Sequence, residues 1–310
     1  MTRTASDTEP ARPGDGRADA DADEAAFAAL TELVAAGGVF VLTGAGLSTD
    51  SGIPDYRGRD GVRRVMPMQF GEFIATSAAR QRYWARSYVG WSRFRAARPN
   101  AGHHAVTALQ RAGLVEALIT QNVDGLHDEA GGRDVIELHG SLAEVVCLQC
   151  GDRSARAVLQ ERMDADNPGF TAYVQAVAAE GSRVSSQIRP DGDIVLADEA
   201  VGEFVLPQCQ VCGADRLKPD VVFFGESVPT ARVERCLAAL SASRSVLVLG
   251  SSLAVMSGYR FVRKAAVERI PVAILTHGWS RGDEQASLKL DLPLSLTLTR
   301  LAQAVTPPVR

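Results

Sequence analysis

The chain has 310 residues, is 46% hydrophobic and 23% charged, and carries a net charge of −4 with both signs mixed. That length buries a sizeable core in one or two domains, while so weak a net charge gives no electrostatic footprint for nucleic acid or an anionic membrane surface. No apolar run reaches the roughly 18–20 residues that a transmembrane helix needs.

Residues 1–24 are rich in Ala, Asp, Arg, Gly and Pro and read as a disordered tail. A secretory signal would need an apolar core, and a mitochondrial presequence would avoid the acids at Asp7, Glu9, Asp15, Asp19, Asp21 and Asp23, so a cytoplasmic location is expected. Ala25–Ala36 carries Phe27, Leu30, Leu33 and Val34 at helical spacing and stops at Gly37-Gly38. The apolar run Val39–Leu42 then enters Thr43-Gly44-Ala45-Gly46 and the small polar residues Ser48, Thr49 and Ser51. A buried strand feeding a glycine turn suits a phosphate-bearing ligand, because backbone N–H groups can approach it closely. The dinucleotide fingerprint is incomplete, since Thr49 stands where its third glycine belongs, and an ordinary βα turn fits equally well. Gly52-Ile53-Pro54-Asp55-Tyr56-Arg57 strengthens the ligand reading, as a carboxylate, an aromatic ring and a guanidinium share one proline-set turn. Gly58–Arg64 is expected to be a mobile loop over the nucleotide.

Arg80–Trp91 reads as a helix with Trp84, Tyr88 and Trp91 on its core face. Tyr83 and Arg86 are neighbours on the other side, either a solvated pair or the lining of a pocket for a carboxylate. Pro99-Asn100 caps a helix through His103–Ala112, and Leu114–Thr120 is the next strand. Its end carries Gln121-Asn122-Val123-Asp124, and the short strand Val135–Leu138 ends at His139-Gly140. In open α/β sheets ligands sit at that edge, which makes His139 a general-base candidate ahead of His127, although a lone histidine is also a common structural residue.

Cys147-x-x-Cys150 and Cys209-x-x-Cys212, each followed by glycine, form two knuckles suited to one tetrahedral structural Zn²⁺. Disulfides are the rival reading, disfavoured in a reducing compartment. The spacer Gly151–Gln208 contains Pro190-Asp-Gly-Asp193 and is expected to hold loops and short helices. Cys236 falls on the apolar face of a helix over Ala231–Leu240 and reads as an inert core residue. Strand chemistry is expected over Leu217–Glu226, and strands at Ser245–Leu249, closed by Gly250-Ser251-Ser252, and Pro271–Leu275, closed by Thr276-His277-Gly278. Helices between strands argue for a parallel, doubly wound α/β sheet.

Taken together, GAGLS at Gly44–Ser48, GIPDYR at Gly52–Arg57, TQNVDGLH at Thr120–His127, ELHG at Glu137–Gly140, the two cysteine pairs, KPDVVFFGE at Lys218–Glu226 and GSSL at Gly250–Leu253 closely resemble the sirtuins, NAD-dependent protein-lysine deacylases. The likeness spans about residues 25–300, and RQRYWARSYVGW and SGYRF (Ser257–Phe261) are most similar to the class II branch, which contains a mitochondrial sirtuin. It implies a Rossmann-like domain over 25–140 and 214–305, including a helical segment at 60–100, with an inserted zinc module at 141–213. NAD and acyl-lysine would occupy the cleft between them. On that resemblance Gly44, Ala45, Gly46, Ser48, Asp55, Tyr56, Arg57, Gln121, Asn122 and Asp124 line the NAD site. Gly250, Ser251 and Ser252 hold its adenosine end, with Thr276, His277 and Gly278 nearby and Ser287 in the region that closes over adenine. Thr276 replaces an Asn frequent in the family and reaches less far toward the ribose.

Catalysis would fall to His139, Asn122 and Asp124. The acyl oxygen attacks the ribose as nicotinamide leaves, His139 is base for a ribose hydroxyl, and water completes transfer to O-acyl-ADP-ribose. Zinc would do no chemistry, its four positions being filled by thiolates. An acyl-lysine protein or peptide would add as a strand between Val221-Val222-Phe223 and Ser252–Val255, and a monomer without nucleic-acid or membrane partners is expected. Tyr83-x-x-Arg86 matches the spacing of the branch that removes acidic acyl groups, so glutaryl-type or branched acidic chains are expected to be preferred to acetyl. Transfer of ADP-ribose to protein is the alternative on the same scaffold. A zinc-bearing interaction module would have no use for His139, Asn122 and Asp124 together, and a dehydrogenase would want the third glycine.

Overall fold

The computed structural model describes residues 15–58, 60–63, 66–172, 190–191 and 201–306. The chain opens with α1 (Asp15–Ala35) and β1 (Val39–Thr43), followed by a 3-10 turn at Ala45–Ser51. Helices α2 (Phe70–Ala75), α3 (Ser77–Ala96) and α4 (Ala101–Arg111) lead to β2 (Val115–Thr120), α5 (Leu126–Glu129) and β3 (Ile136–Glu137). Next come β4 (Gly140–Cys147), β5 (Arg153–Ala155), α6 (Arg156–Asp166) and β6 (Leu217–Val221). The chain closes with α7 (Thr230–Ala242), β7 (Ser245–Leu249), α8 (Met256–Val267), β8 (Val272–Leu275), β9 (Leu288–Leu290) and α9 (Leu294–Val305). Among the described residues no helix is long and apolar enough to cross a membrane.

Six strands form one parallel sheet in the order β3-β2-β1-β7-β8-β9, the doubly wound arrangement whose strand order reverses between β1 and β7. Its central strands β1, β7 and β8 are buried at every position and nearly all apolar, because both faces are covered. Val39, Val41, Leu247, Leu249, Ala273 and Leu275 face a core shared with α1, α4 and α9. Phe40, Leu42, Val246, Val248, Val272 and Ile274 face the core beneath α7 and α8. Each of these larger side chains, fully buried, contributes about 1.5–3 kcal/mol. Cys236 lies wholly buried in the second core, as expected.

A smaller antiparallel sheet, β5-β4-β6, carries the cysteines. Three sequence expectations are corrected here. The stretch Leu217–Val221 pairs with β4 in this sheet, not in the large one. The helical segment at 60–100 shares its core with the small sheet, where Phe73, Trp84 and Tyr88 meet Leu142, Val145 and Leu217. Tyr83 is not on a solvated face: it is 3% exposed and packs edge-on against Phe73 and Trp84. The tail also differs, since α1 begins at Asp15 and residues 1–14 lie outside the described ones. Residues 173–189 and 192–200 of the spacer between the cysteine pairs lie outside them too, while α6 lies in its described part.

Candidate active site

The site sits where the strand order of the large sheet reverses. Gly44 N–H donates to the Leu249 carbonyl at 2.9 Å and Gly46 N–H to the Gly250 carbonyl at 2.8 Å. A Cβ on Gly44 would lie 2.7 Å from that of Ser251, and one on Gly46 would lie 2.9 Å from the Gly250 oxygen. Only glycine lets these turns meet, and the bare backbone they expose is what close approach of a pyrophosphate requires.

Below the turns runs a polar network. Asn122 Nδ2 donates to the Gly44 carbonyl at 3.1 Å and to Ser48 Oγ at 3.0 Å, and Ser48 Oγ donates to Asp124 Oδ2 at 2.7 Å. Gln121 Nε2 donates to Ser251 Oγ at 2.9 Å. Burial raises the Asp124 carboxyl above its ordinary pKa against these hydrogen bonds. Beside it Glu137, also desolvated and facing Asp128, is pushed up to about 7.

His139 is held at both ring nitrogens. Nδ1 lies 2.8 Å from the Gln121 carbonyl, which can only accept, so Nδ1 carries the proton. Nε2 is therefore the acceptor, and Ser257 Oγ donates to it at 2.8 Å. Desolvation lowers the imidazole pKa to about 4, with Arg232 and Arg260 acting in the same direction. The ring is neutral at physiological pH, the state a base requires.

These groups line one cavity of about 770 Å³, the size of a cofactor cleft. It gathers Gly44, Ala45, Gly46, Ser48, Asp55, Tyr56, Arg57, Gln121, Asn122, Asp124, His139, Gly250, Ser251, Ser252, Thr276 and His277, with Tyr83 and Val221–Phe223 from the small lobe. Tyr56 packs edge-on against Phe224, its centroid 5.6 Å away, and desolvation pushes its phenol well above the ordinary range. Arg57 Nη1 donates to the Gly61 carbonyl at 2.7 Å. Arg59 and Arg64 of the expected loop lie outside the described residues, as do Gly192 and Asp193 of the spacer.

Three sequence-predicted residues are placed elsewhere. Ser287 bonds through backbone and hydroxyl to Val272, at the start of β8 and away from the ligand edge, so it does not close over a cleft ligand. Gly278 donates its N–H to Asp291 Oδ2 at 3.0 Å and does not line the cavity. Arg86, one turn beyond Tyr83, is half-buried outside the lining, and its Nε has no hydrogen-bond partner among the described residues.

Sequence reasoning missed other parts. Lys218 is 4% exposed, with its ammonium 3.0 Å from Glu226 Oε2, bonded to the Val221 carbonyl, and 4.8 Å from the Phe223 ring centroid. Glu226 in turn accepts from Phe223 N–H at 2.8 Å. This pair braces the segment after β6, which Val222 N–H ties to the His139 carbonyl at 2.7 Å. Lys218 and Glu226 stand at the two ends of one motif, and a buried lysine in a strand was the signal available.

The four cysteine sulfurs all lie within 4.8 Å of one another, with Cys147–Cys212 and Cys150–Cys209 both at 3.7 Å. A tetrahedral site with Zn–S bonds of about 2.3 Å has S···S edges of about 3.8 Å, so the set fits zinc and is too open for disulfides. In each knuckle the glycine N–H, of Gly151 and Gly213, donates to the carbonyl of the first cysteine at 2.9 Å.

Comparison with known proteins agrees with this geometry. A model of the Sir2 family matches residues 44–257. NAD-dependent protein deacetylase 1 of Streptomyces coelicolor is 52% identical over 277 residues, 89% of each chain. The NAD-dependent protein deacetylase of Xanthomonas axonopodis is 52% identical over 82% of this chain and 83% of its own. Among solved structures, one described as "Structural Basis for the Mechanism and Regulation of Sir2 Enzymes" superposes with a TM-score of 0.68 at 26% identity, covering 91% of this chain and 98% of its own. Another, "Sir2-p53 peptide-NAD+", gives 0.65 at 27% identity over 88% and 95% of the two chains.

Proposed function

The chain belongs to the Sir2 family, the sirtuins, and from that premise we propose that it removes acyl groups from protein lysines at the expense of NAD. One observation carries the reading: the acceptor nitrogen of His139 and the glycine cradle of Gly44–Gly46 belong to one cavity. A Cβ at Gly44 or Gly46 would strike the Gly250–Ser251 turn, so the glycines are what bring the two turns together on the cavity wall, and a wall of bare backbone fits a dinucleotide. When bound, NAD supplies an electrophilic sugar carbon whose bond to nicotinamide breaks as the acyl oxygen attaches.

The chain's own residues do the rest. Gly44–Ser48 and Gly250–Ser252 hold the phosphates and adenosine, and Asn122 and Asp124 fix Ser48 and the turn. Orientation is the main lever, since an amide oxygen is a poor nucleophile. His139, neutral and clamped, accepts a proton at Nε2. The outer edge of β6 pairs with no other strand among the described residues, which suits a peptide added as a strand with recognition mostly through its backbone. Zn²⁺ would be held by Cys147, Cys150, Cys209 and Cys212 as a structural ion.

The relatives' names favour deacylation over protein ADP-ribosylation. Mass spectrometry of products from NAD and a mixed acyl-lysine peptide library tests the reading. Free lysine peptide with O-acyl-ADP-ribose is expected; modified protein without it would overturn the assignment. For the acyl group, we read Tyr83 in the cavity wall and the unpartnered Arg86 Nε behind it as favouring a carboxylate-bearing chain, and hence the class II branch. Acetyl preferred over glutaryl-type chains, with no loss in Arg86→Ala, would refute that preference.

A further inference from the structure

Ser257 is absent from every role given so far, yet it is the residue in direct contact with the base. Its hydroxyl donates to His139 Nε2 at 2.8 Å and lines the cleft beside Ser252 and His139. The contact is built in by its neighbour. A Cβ on Gly258 would lie 2.4 Å from Gln121 Oε1, so glycine leaves room for the Gln121 amide against the first turn of α8. The Gln121 carbonyl in turn fixes the proton on Nδ1. Two elements distant in sequence thus converge on one imidazole, and Nε2 meets the cleft through a hydroxyl.

We propose that Ser257 is a catalytic hydroxyl relay: it takes the proton of a sugar hydroxyl bound in the cleft and passes its own to His139 Nε2. The inference rests on the reading of His139 as base. The sugar O–H bond breaks while an O–H bond forms at Ser257 Oγ. The original Ser257 O–H breaks as N–H forms at Nε2. The sugar oxygen keeps the electron pair, and the positive charge stays on an imidazolium whose Nδ1–H remains on the Gln121 carbonyl. A hydroxyl both donates and accepts, so serine can serve the two bonds at once.

The test compares Ser257→Ala and Ser257→Thr with the wild type, zinc-loaded and full length. Ser257→Ala is expected to lower kcat for acyl-peptide turnover about 10²-fold, the scale of a lost general acid–base step, with KM for NAD within about twofold of wild type. Ser257→Thr, which keeps the hydroxyl, restores kcat to within about tenfold. A proton inventory in mixed H₂O and D₂O should be curved for the wild type and linear for Ser257→Ala, one hydrogen in flight having gone. Without substrates, ¹⁵N NMR of the histidine rings should show the His139 Nε2 resonance moving in Ser257→Ala while Nδ1 stays. Unchanged kcat in Ser257→Ala, or an unmoved Nε2 resonance, overturns the relay. Wild type that releases no nicotinamide with any acyl peptide overturns it too, and a moved Nε2 resonance would then locate the fault in the functional reading, with the contact intact.

Discussion

Acid should destabilise this protein through two histidines that never touch the substrate. His103 on α4 and His127 on α5 are 0% and 1% exposed, with ring centroids 4.9 Å apart. Burial lowers His103 from 6.5 to about 3, helped by His127, and lowers His127 from 6.5 to about 4. A group whose folded pKa is depressed gives stability that is fully present above its unfolded pKa and is lost as pH falls toward the folded value. The window therefore opens below 6.5 and closes near 4 for His127 and near 3 for His103. Between pH 7 and pH 5 each histidine should cost about 2 kcal/mol, so the pair costs about 4 kcal/mol, a large share of the about 5–15 kcal/mol that holds a domain. Urea unfolding of wild type and His103→Gln/His127→Gln at both pH values isolates the effect, because Glu137 titrates in both proteins alike. The double variant should lose about 4 kcal/mol less than wild type over that interval. Equal losses would refute the argument, whatever the variant's stability at pH 7.

Three further outcomes follow from the site. Gly46→Ala should abolish NAD binding by calorimetry, since its Cβ would meet the Gly250 backbone at 2.9 Å and backbone cannot swing aside; retained affinity would contradict the cradle. Cys209→Ser should bring zinc content below one ion per chain by metal analysis and expose the small lobe to protease, because three thiolates leave the tetrahedron open. Lys218→Met should cost about 3 kcal/mol by leaving Glu226 without its buried partner. It should also raise KM for acyl peptide more than KM for NAD, as the braced segment Val221–Phe223 faces the cleft.

The parts of this fold that sequence makes legible are those with local causes. Val39–Leu42, Ser245–Leu249 and Pro271–Leu275 read as strands because covering both faces of a sheet demands unbroken apolar runs. Asn100 was a readable cap, and its side chain accepts from the Gly102 and His103 amides at 2.9 and 3.3 Å. The cysteine knuckles announce themselves by spacing alone. By contrast, Leu292, Leu294, Leu296 and Leu298 alternate as in a strand, yet α9 buries Leu294, Leu298 and Leu301 and leaves Leu296 74% exposed. The alanine-rich, acidic start of α1 lacks the large apolar residues that separate helix from disorder by composition, although alanine itself favours helix. Ser257 meeting His139 across 118 residues has no local signal at all. Nor does the side on which Arg86 falls, which depends on how α3 beds into the small lobe.

The small sheet has a consequence for how this enzyme tolerates change. Strand β4 runs from Gly140, next to the proposed base His139, to Cys147, and β6 runs from beside the second knuckle to Val221, where the proposed peptide edge begins. Zinc held by the cysteines would thus clasp one end of a two-strand frame whose other end holds the His139 imidazole and the proposed peptide edge, joined there by the bond from Val222 to His139. An ion with no part in the proposed chemistry would nevertheless set the spacing of the groups proposed to carry it. Grafting a foreign zinc lobe onto this scaffold would shift the base and that edge together, so specificity and turnover would be inherited as a single trait.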